Sequence, residues 1–281
     1  QPNHGGLGLG RSVARGVPIR GEGRWPSLTA LAGGHAHCQP NHLAQLEGDA
    51  KQEYVAGLFA SIAGKYDLMN DLMTFGQHRR WKKHTARITA QGLHGISLDI
   101  ACGTGDLARA LSRRQEIAHS VGLDLLPEMI SLGNAKVRSQ NLSSKVTLML
   151  GDALRLPFPD GSFACATAGF SLRNMPDLKA ALAEMVRVVK PGGRVTTLEL
   201  SPMPGGLKSS LFRLCFHKLV PLLGGLISGN RAAYAYLPQS VDYFLEADRL
   251  AAIFRELGLV DVGYRRMGMG TVALHWGQRP Q

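Results

Sequence analysis

The chain has 281 residues, 44% of them hydrophobic and 19% charged, and a net charge of +11. That balance supports a sizeable core without disulfide or metal staples and excludes collagen-like, coiled-coil and wholly disordered chains. The longest nearly unbroken apolar stretch, Leu219 to Ile227, is broken by Pro221, Gly224 and Gly225 and falls well short of the roughly 20 residues of a spanning helix.

Cys38, Cys102, Cys165 and Cys215 stand at least 50 positions apart, which matches neither a zinc spacing nor a compact disulfide framework. Reduced thiols in a cytoplasmic protein are expected, with no metal site and no secretory signal. The positive charge avoids the middle of the chain: the net is +1 over residues 1–50, +4 over 51–90, +2 over 91–200 and +4 over 201–281. Its densest run is His78-Arg79-Arg80-Trp81-Lys82-Lys83-His84. A strip this short neutralises few phosphates, so nucleic acid is not expected as a partner.

Residues 1–50 are Gly-rich with scattered His and Pro and have no sustained helical or strand period. They read as a poorly ordered leader, and residues 51–281 as the functional domain. Helices are expected over Tyr54–Ile62 and Gln77–Thr89, joined by a polar stretch from Gly64 to Gly76. An alternation follows: strand Ile96–Ala101, helix Asp106–Arg114, strand Ser120–Leu125, and helix Pro127–Arg138 with proline in its first turn. Strands Lys145–Leu150 and Phe163–Ala168 come next. Helix Pro176–Lys190, ended by Pro191-Gly192-Gly193, leads to strand Arg194–Leu200. The tail breaks the rhythm with helices over Leu207–Leu223 and Ser240–Leu257, then a strand pair, Val260–Met267 and Thr271–Trp276. Short apolar strands alternating with helices imply a doubly wound α/β sheet, mostly parallel, closed by an antiparallel hairpin.

In such a sheet the ligand sits beyond the carboxyl ends of the strands. The first strand runs into Asp99-Ile-Ala-Cys102-Gly103-Thr104-Gly105-Asp106, where Gly103 and Gly105 permit a tight turn and close backbone approach. A third glycine and a Gly-Lys-Ser/Thr sequence are both missing, which disfavours a diphosphate ligand. Asp124 ends the second strand, where an acid can accept hydrogen bonds from ribose hydroxyls. Asp152 follows the third strand and suits an adenine amino group. Carboxylates at Asp99 and Asp106 suit a ligand bearing an amine and a sulfonium.

The stretch Leu98 to Asp106, Gly122-Leu-Asp124 with Met129, Gly151-Asp-Ala153 and Leu156-Pro-Phe158 resembles class I S-adenosylmethionine-dependent methyltransferases, with their Rossmann-like seven-stranded sheet. Three further segments narrow the resemblance: Lys65-Tyr66-Asp67 through Asp71 with Gly76-Gln-His78-Arg79 and Trp81-Lys82; Gly169-Phe-Ser-Leu-Arg173-Asn174; and Tyr234-Ala-Tyr236-Leu237 with Ser240. They are similar to the ubiquinone/menaquinone biosynthesis C-methyltransferase family, over about Tyr54 to Gly277. The resemblance implies extra helices at the N-terminus and before the last strands, S-adenosylmethionine as cofactor, and a polyprenylated quinol as acceptor. It places cofactor contacts at Thr104, Asp124, Asp152, Ala153 and Gly169, beside Asp99, Gly103 and Gly105. The family has glycine where Ser171 stands, Phe-Pro or His-Pro where Phe244-Leu245 stands, and Leu-Thr where Met267-Gly268 stands. All three departures are expected on the acceptor side.

Methylating a ring carbon needs a deprotonated or strongly polarised ring hydroxyl. Candidates to act on it are Tyr66, Asp67, Asp71, His78, Arg173, Asn174, Tyr234, Tyr236 and His275, with Arg173, Tyr66 and Asn174 preferred. Arg173, always protonated, would stabilise an oxyanion; the alternative is an ion pair that pins its loop. For His275 a packed strand histidine is favoured. An RNA methyltransferase and a non-catalytic quinone-pathway protein are the competing readings. An insoluble acceptor implies peripheral contact with an anionic membrane at its inner face, through Leu211, Leu214, Leu219, Leu222 and Leu223 with Lys208, Lys218 and the Arg79–Lys83 strip. A homo-oligomer is compatible with the sequence.

Overall fold

The computed structural model describes residues 48–203, 206, 216–222, 224–225 and 231–281. Residues 1–47 of the leader therefore lie outside the described residues, while 48–50 are helical, as the start of the first helix; most of the helix expected over Leu207–Leu223 is outside as well, with 216–222 helical.

Seven strands among the described residues form one sheet. They are β1 (Gly95–Ile100), β2 (Ile117–Asp124), β3 (Val146–Leu150), β4 (Phe163–Gly169), β5 (Val189–Leu200), β6 (Val260–Met267) and β7 (Val272–Gln278), in the order β3-β2-β1-β4-β5-β7-β6. The first five pair in parallel, and β7 runs antiparallel to both β5 and β6. Central strands are buried on both faces, as β4 shows from Phe163 to Ala168. This explains why they read as continuous apolar runs rather than as an alternation.

The first helices are α1 (Gly48–Ile62), α2 (Tyr66–Thr74) and α3 (Gln77–Ala90); α4 (Asp106–Ser112), α5 (Pro127–Ser139) and α6 (Leu178–Val188) cross over between strands. α5 begins on Pro127, and Asp177 caps α6 by accepting from the Ala180 amide at 2.8 Å, each a local signal written in the sequence. The main core joins Leu98, Ile100, Leu123 and Phe163 of the sheet to Leu182 and Met185 of α6 and Phe254 of the Ala247–Glu256 helix. A separate cluster, Leu58, Ile62, Met69, Val220, Ala233, Tyr234 and Tyr236, ties α1 and α2 to the Arg231–Asp242 helix.

Three expectations are corrected. The polar stretch from Gly64 to Gly76 is mostly α2, which buries Met69 and stops where Phe75 and Gly76 turn left-handed and the Gly76 amide bonds Asp71 O at 2.8 Å. The helix expected over Ser240–Leu257 is two helices, Arg231–Asp242 and Ala247–Glu256; Phe244 and Leu245, in the break, pack on the core.

Finally, Pro191-Gly192-Gly193 does not separate helix from strand. α6 ends at Val188, and the three residues lie inside β5, where the pairing with β4 shifts register. The Arg279 guanidinium holds this irregular start by donating to the carbonyls of Val186, Arg187 and Val189. A Cβ on Gly193 would stand 2.5 Å from the Ala164 carbonyl oxygen and 2.9 Å from that of Lys190. Backbone on two sides leaves no room to yield, so Gly193→Ala is expected to cost about 1–3 kcal/mol. Thermal unfolding should show a fall of several degrees; an unchanged melting temperature would mean that this turn tolerates a side chain.

Candidate active site

The parallel strands deliver their carboxyl-terminal loops to one edge. After β1 the chain passes through Ala101, Gly103 and Gly105, all with positive φ, and enters α4. Gly103 has open space where a Cβ would stand, whereas a Cβ on Gly105 would meet Leu148 at 2.9 Å. The first glycine leaves the backbone open to a ligand, and the second lets α4 pack on the sheet.

Asp124 closes the loop from the neighbouring strand. Its Oδ2 accepts the Gly103 amide at 2.7 Å and its Oδ1 accepts the Leu126 amide at 3.0 Å. Burial raises its pKa, against the pull of these amides. Asp152 is fixed likewise, accepting the Leu154 amide at 2.9 Å.

These loops enclose a cavity of about 150 Å3. Gly103, Asp124, Asp152, Ala153 and Gly169 line it, as the sequence anticipates, together with Tyr66 and Asn174. Leu125, Leu126, Met129, Leu154, Met175 and Pro176 add apolar walls. No Lys, Arg or His lines it among the described residues. Two carboxylates in a cation-free cavity suit a positively charged ligand with hydroxyl and amine donors and oppose a phosphate-bearing one. Ser171 also lines it, with its hydroxyl buried and without a protein partner, so a bound ligand would supply what the fold withholds.

Four sequence-predicted carboxylate or loop residues do not line this cavity. Asp99 is buried beneath the loop, where it accepts the Ala108 amide at 3.1 Å and the Thr167 hydroxyl at 2.8 Å; burial pushes its pKa up to about 7. It fastens α4 to β4 and has no free face for a ligand cation. Thr104 turns aside to α2, donating to Asp67 Oδ1 at 3.1 Å and accepting from Lys136 Nζ at 2.7 Å. Gly105 serves packing. Asp106 pairs with Lys82 and Arg109; burial works against its charge, but these cations outweigh it and hold its carboxyl below the usual range.

A second cavity, of about 300 Å3, shares Phe59, Tyr66 and Phe170 with the first. Its walls include Leu58, Ile62, Met69, Met73, Trp81 and Leu237, with His78, Arg173, Tyr234 and Tyr236 among the polar groups. Arg173 donates to Glu199 Oε1 at 2.5 Å and to Phe170 O at 2.7 Å, so the loop-pinning ion pair is present. Its Nε remains buried without a hydrogen-bond partner. Tyr236 donates to Asn174 Oδ1 at 3.3 Å, and burial lifts its pKa to about 12.

His275 is a packed strand histidine, bonded to Ala247 O and stacked on Tyr264. Of the three departures, Ser171 lines the first cavity instead of the acceptor side, and Phe244-Leu245 lies in the main core. Gly268 approaches Trp81, which does line the second cavity. Phe170 was missed by sequence reasoning, although it borders both cavities; its left-handed backbone (φ 59°) has no local signal in a phenylalanine.

The ubiE/COQ5 methyltransferase family model matches residues 47–279. A demethylmenaquinone methyltransferase of Thermus thermophilus is 41% identical over 223 residues, covering 79% of this chain and all of that protein. A ubiquinone/menaquinone biosynthesis C-methyltransferase of Pseudomonas aeruginosa is 40% identical, covering 82% of this chain and 90% of that protein.

The chain belongs to the ubiE/COQ5 methyltransferase family.

It is accordingly a methyltransferase, and its cofactor is S-adenosylmethionine. The fold is also similar to a Haloferax volcanii putative methyltransferase solved with its Trm112 activator, at TM-score 0.58 and 18% identity over 81% of this chain and 98% of that one. A Haemonchus contortus phosphoethanolamine N-methyltransferase matches at TM-score 0.54 and 16% identity, over 72% and 53%. No helix of the described residues is long and apolar enough to cross a membrane.

Proposed function

We propose that this methyltransferase C-methylates the ring of a polyprenylated demethylnaphthoquinol, giving the menaquinol. A benzoquinol of the ubiquinone series is the alternative acceptor. The observation that carries the reading is the pairing of cavities. A small one with two carboxylates and no cation shares three aromatic residues with a larger, mainly apolar one. The curated relatives' names, demethylmenaquinone methyltransferase and ubiquinone/menaquinone C-methyltransferase, support it. An RNA acceptor fits less well: the two cationic side chains lining the larger cavity, Lys82 and Arg173, are already paired with Asp106 and Glu199.

In this reading Asp124 accepts the ribose hydroxyls, Asp152 with the Ala153 backbone meets the adenine, and the backbones of Gly103 and Gly169 approach the ligand. Asp99, Thr104 and Gly105 keep the loop in shape. When bound, the cofactor supplies an electrophilic methyl group. Tyr66, which lines both cavities, and Asn174, which lines the first and accepts from Tyr236 of the second, orient the acceptor ring at their junction, and the Arg173 guanidinium stabilises the ring oxyanion.

Removing the Asp124 carboxylate should cost about 2–4 kcal/mol of cofactor binding, because bonds to a charged acceptor are the stronger kind. Calorimetry on Asp124→Ala is expected to show affinity lower by a factor of about 30 to 1,000, with the fold retained by circular dichroism. Unchanged affinity would remove Asp124 from the site.

The acceptor is the reduced quinol, since an oxidised ring is electron-poor and has no ionisable hydroxyl. Labelled S-adenosylmethionine should mark a demethylnaphthoquinone only after a reductant is added. Labelling without reductant would refute this chemistry, and labelling of a benzoquinol alone would move the substrate to the alternative.

A greasy acceptor has to be met at a lipid surface. Leu68 and Leu72, four positions apart on α2, are exposed, as are Phe75 at its end and Leu219 and Leu222. Arg79, Arg80, Lys83 and Lys218 are exposed as well. Leu211, Leu214, Leu223 and Lys208 lie outside the described residues. Apolar side chains beside cations fit an anionic bilayer, which the protein touches without spanning. It should sediment with anionic vesicles at low salt and be released at high salt; equal recovery in the supernatant under both conditions would reject the contact.

A further inference from the structure

We propose that His78 is the base that accepts the ring-hydroxyl proton of the acceptor, through its Nε2. The assignment rests on the quinol reading above, and the geometry behind it is independent of that reading.

His78 is the second residue of α3 and lies against the end of α2, 5% exposed, in the wall of the larger cavity. Its tautomer follows from the hydrogen bonds. The Thr74 hydroxyl has one proton, which it donates to Asn70 O at 2.6 Å. The same oxygen lies 2.9 Å from His78 Nδ1. The same oxygen also takes the His78 backbone amide at 3.4 Å; with the hydroxyl proton on Asn70 O, Thr74 Oγ1 accepts from Nδ1, and this is the tautomer we assign. The neutral ring then presents a lone pair at Nε2.

Nε2 faces Asp71 Oδ1 at 3.7 Å, beyond hydrogen-bond distance. That carboxylate oxygen is buried and has no hydrogen-bond partner, while Oδ2 is held by Arg79. In that tautomer Nε2 and the Asp71 oxygen are two facing acceptors, which leaves a place for a donor beside His78 in the cavity wall. A ring hydroxyl provides one. Once Nε2 has taken the proton, Asp71 faces an imidazolium and stabilises it.

The charged surroundings keep the ring in its accepting form. Burial, then Lys82 and Arg79 of its own helix, push its pKa below 6.5; Asp71 of α2 and Asp106 of α4 pull the other way. Arg173, Asp242, Tyr66, Tyr234 and Tyr236 complete the titratable lining of the cavity. The ring is thus neutral at pH 7 and is lost as a base when the pH falls through its lowered pKa.

The proton balance closes. The O–H bond breaks and Nε2–H forms, the electron pair staying on the ring oxygen and enriching the ring carbon. After that carbon has been methylated, its C–H proton leaves to restore aromaticity and Nε2 returns the first proton to oxygen. One proton per turnover reaches solvent.

Nitrogen-15 NMR of the full chain without ligands tests the tautomer directly: His78 should be protonated at Nδ1 alone at neutral pH. A ring protonated at Nε2 would overturn the proposal without any substrate present. His78→Asn then separates base from scaffold. Its side-chain amide can still donate to Thr74, as Nδ1 does, but nothing remains at Nε2. Turnover with reduced demethylnaphthoquinone should fall by about 100-fold or more and the acidic limb of the pH profile should vanish. Cofactor affinity by calorimetry and the melting temperature should stay at wild-type values. Turnover within a few-fold of wild type, with the acidic limb intact, would overturn the base assignment alone. A wild-type protein that methylates neither a naphthoquinol nor a benzoquinol would overturn the substrate reading instead.

Discussion

The site depends on one carboxylate at the end of β2. Asp124 accepts the Gly103 amide across the parallel pair β1–β2 and the Leu126 amide from the entry to α5. The loop after β1 and the turn from β2 into α5, 21 residues apart, are thereby held in one place. Hydrogen bonds to an ionised acceptor are short and strong, and here they oppose the burial that raises the group's pKa. Gly103 can lie close to that carboxylate because it carries no side chain and turns left-handed. The loop that borders the ligand cavity is therefore held in shape by the protein's own hydrogen bonds, and preorganisation of this kind reduces the ordering that binding requires.

Around that clamp, other polar groups hold the scaffold. Asp99 binds the first turn of α4 and Thr167 of β4. Asp67, Thr104 and Lys136 bring α2 to the loop after β1 and to α5. Arg173 and Glu199, both buried, fix the segment after β4 against β5. Breaking a buried pair strands an uncompensated charge, which costs about 3–5 kcal/mol. Loss of activity in an Arg173 variant would accordingly mix a structural cost with a chemical one, whereas His78→Asn can keep the contact to Thr74.

The sheet was legible in the sequence because its signals are local. Apolar runs separated by Gly, Pro and Asp punctuation placed all seven strands to within a few residues, and β5 alone starts well before its expected residue, at Val189 instead of Arg194. Asp124 and Asp152 were legible because an acid at the end of a parallel strand has a fixed place relative to the first loop. Asp99 and Thr104 were not, since side-chain direction is decided by tertiary neighbours: two residues with the right chemistry in the right loop were claimed by α4, β4 and α2. α2 was missed because its apolar residues are split between the interior and the surface, with Met69 buried and Leu68 and Leu72 exposed. The helical period was hidden by that division. His78 was visible as one candidate among nine; its place in the larger cavity's wall, beside Thr74 and Asp71, is tertiary and had no local signal.

The two cavities divide the chemistry by their electrostatics. Positive charge abounds on this chain, yet no cation lines the smaller cavity among the described residues, and the two cations lining the larger one are neutralised by Asp106 and Glu199. A sulfonium ligand is repelled by positive charge on the walls, and a quinol ring, on entry, carries no phosphate to meet it. What the ring does need is a group that is neutral when it enters and able to hold a proton when the oxyanion forms. An arginine meets neither demand, since it is charged from the start and has no lone pair with which to take a proton; it can only stabilise the oxyanion once formed. A buried histidine whose Nδ1 proton is tied to Thr74, as proposed, meets both, and the Asp71 oxygen facing its Nε2 stabilises the ring once it is protonated.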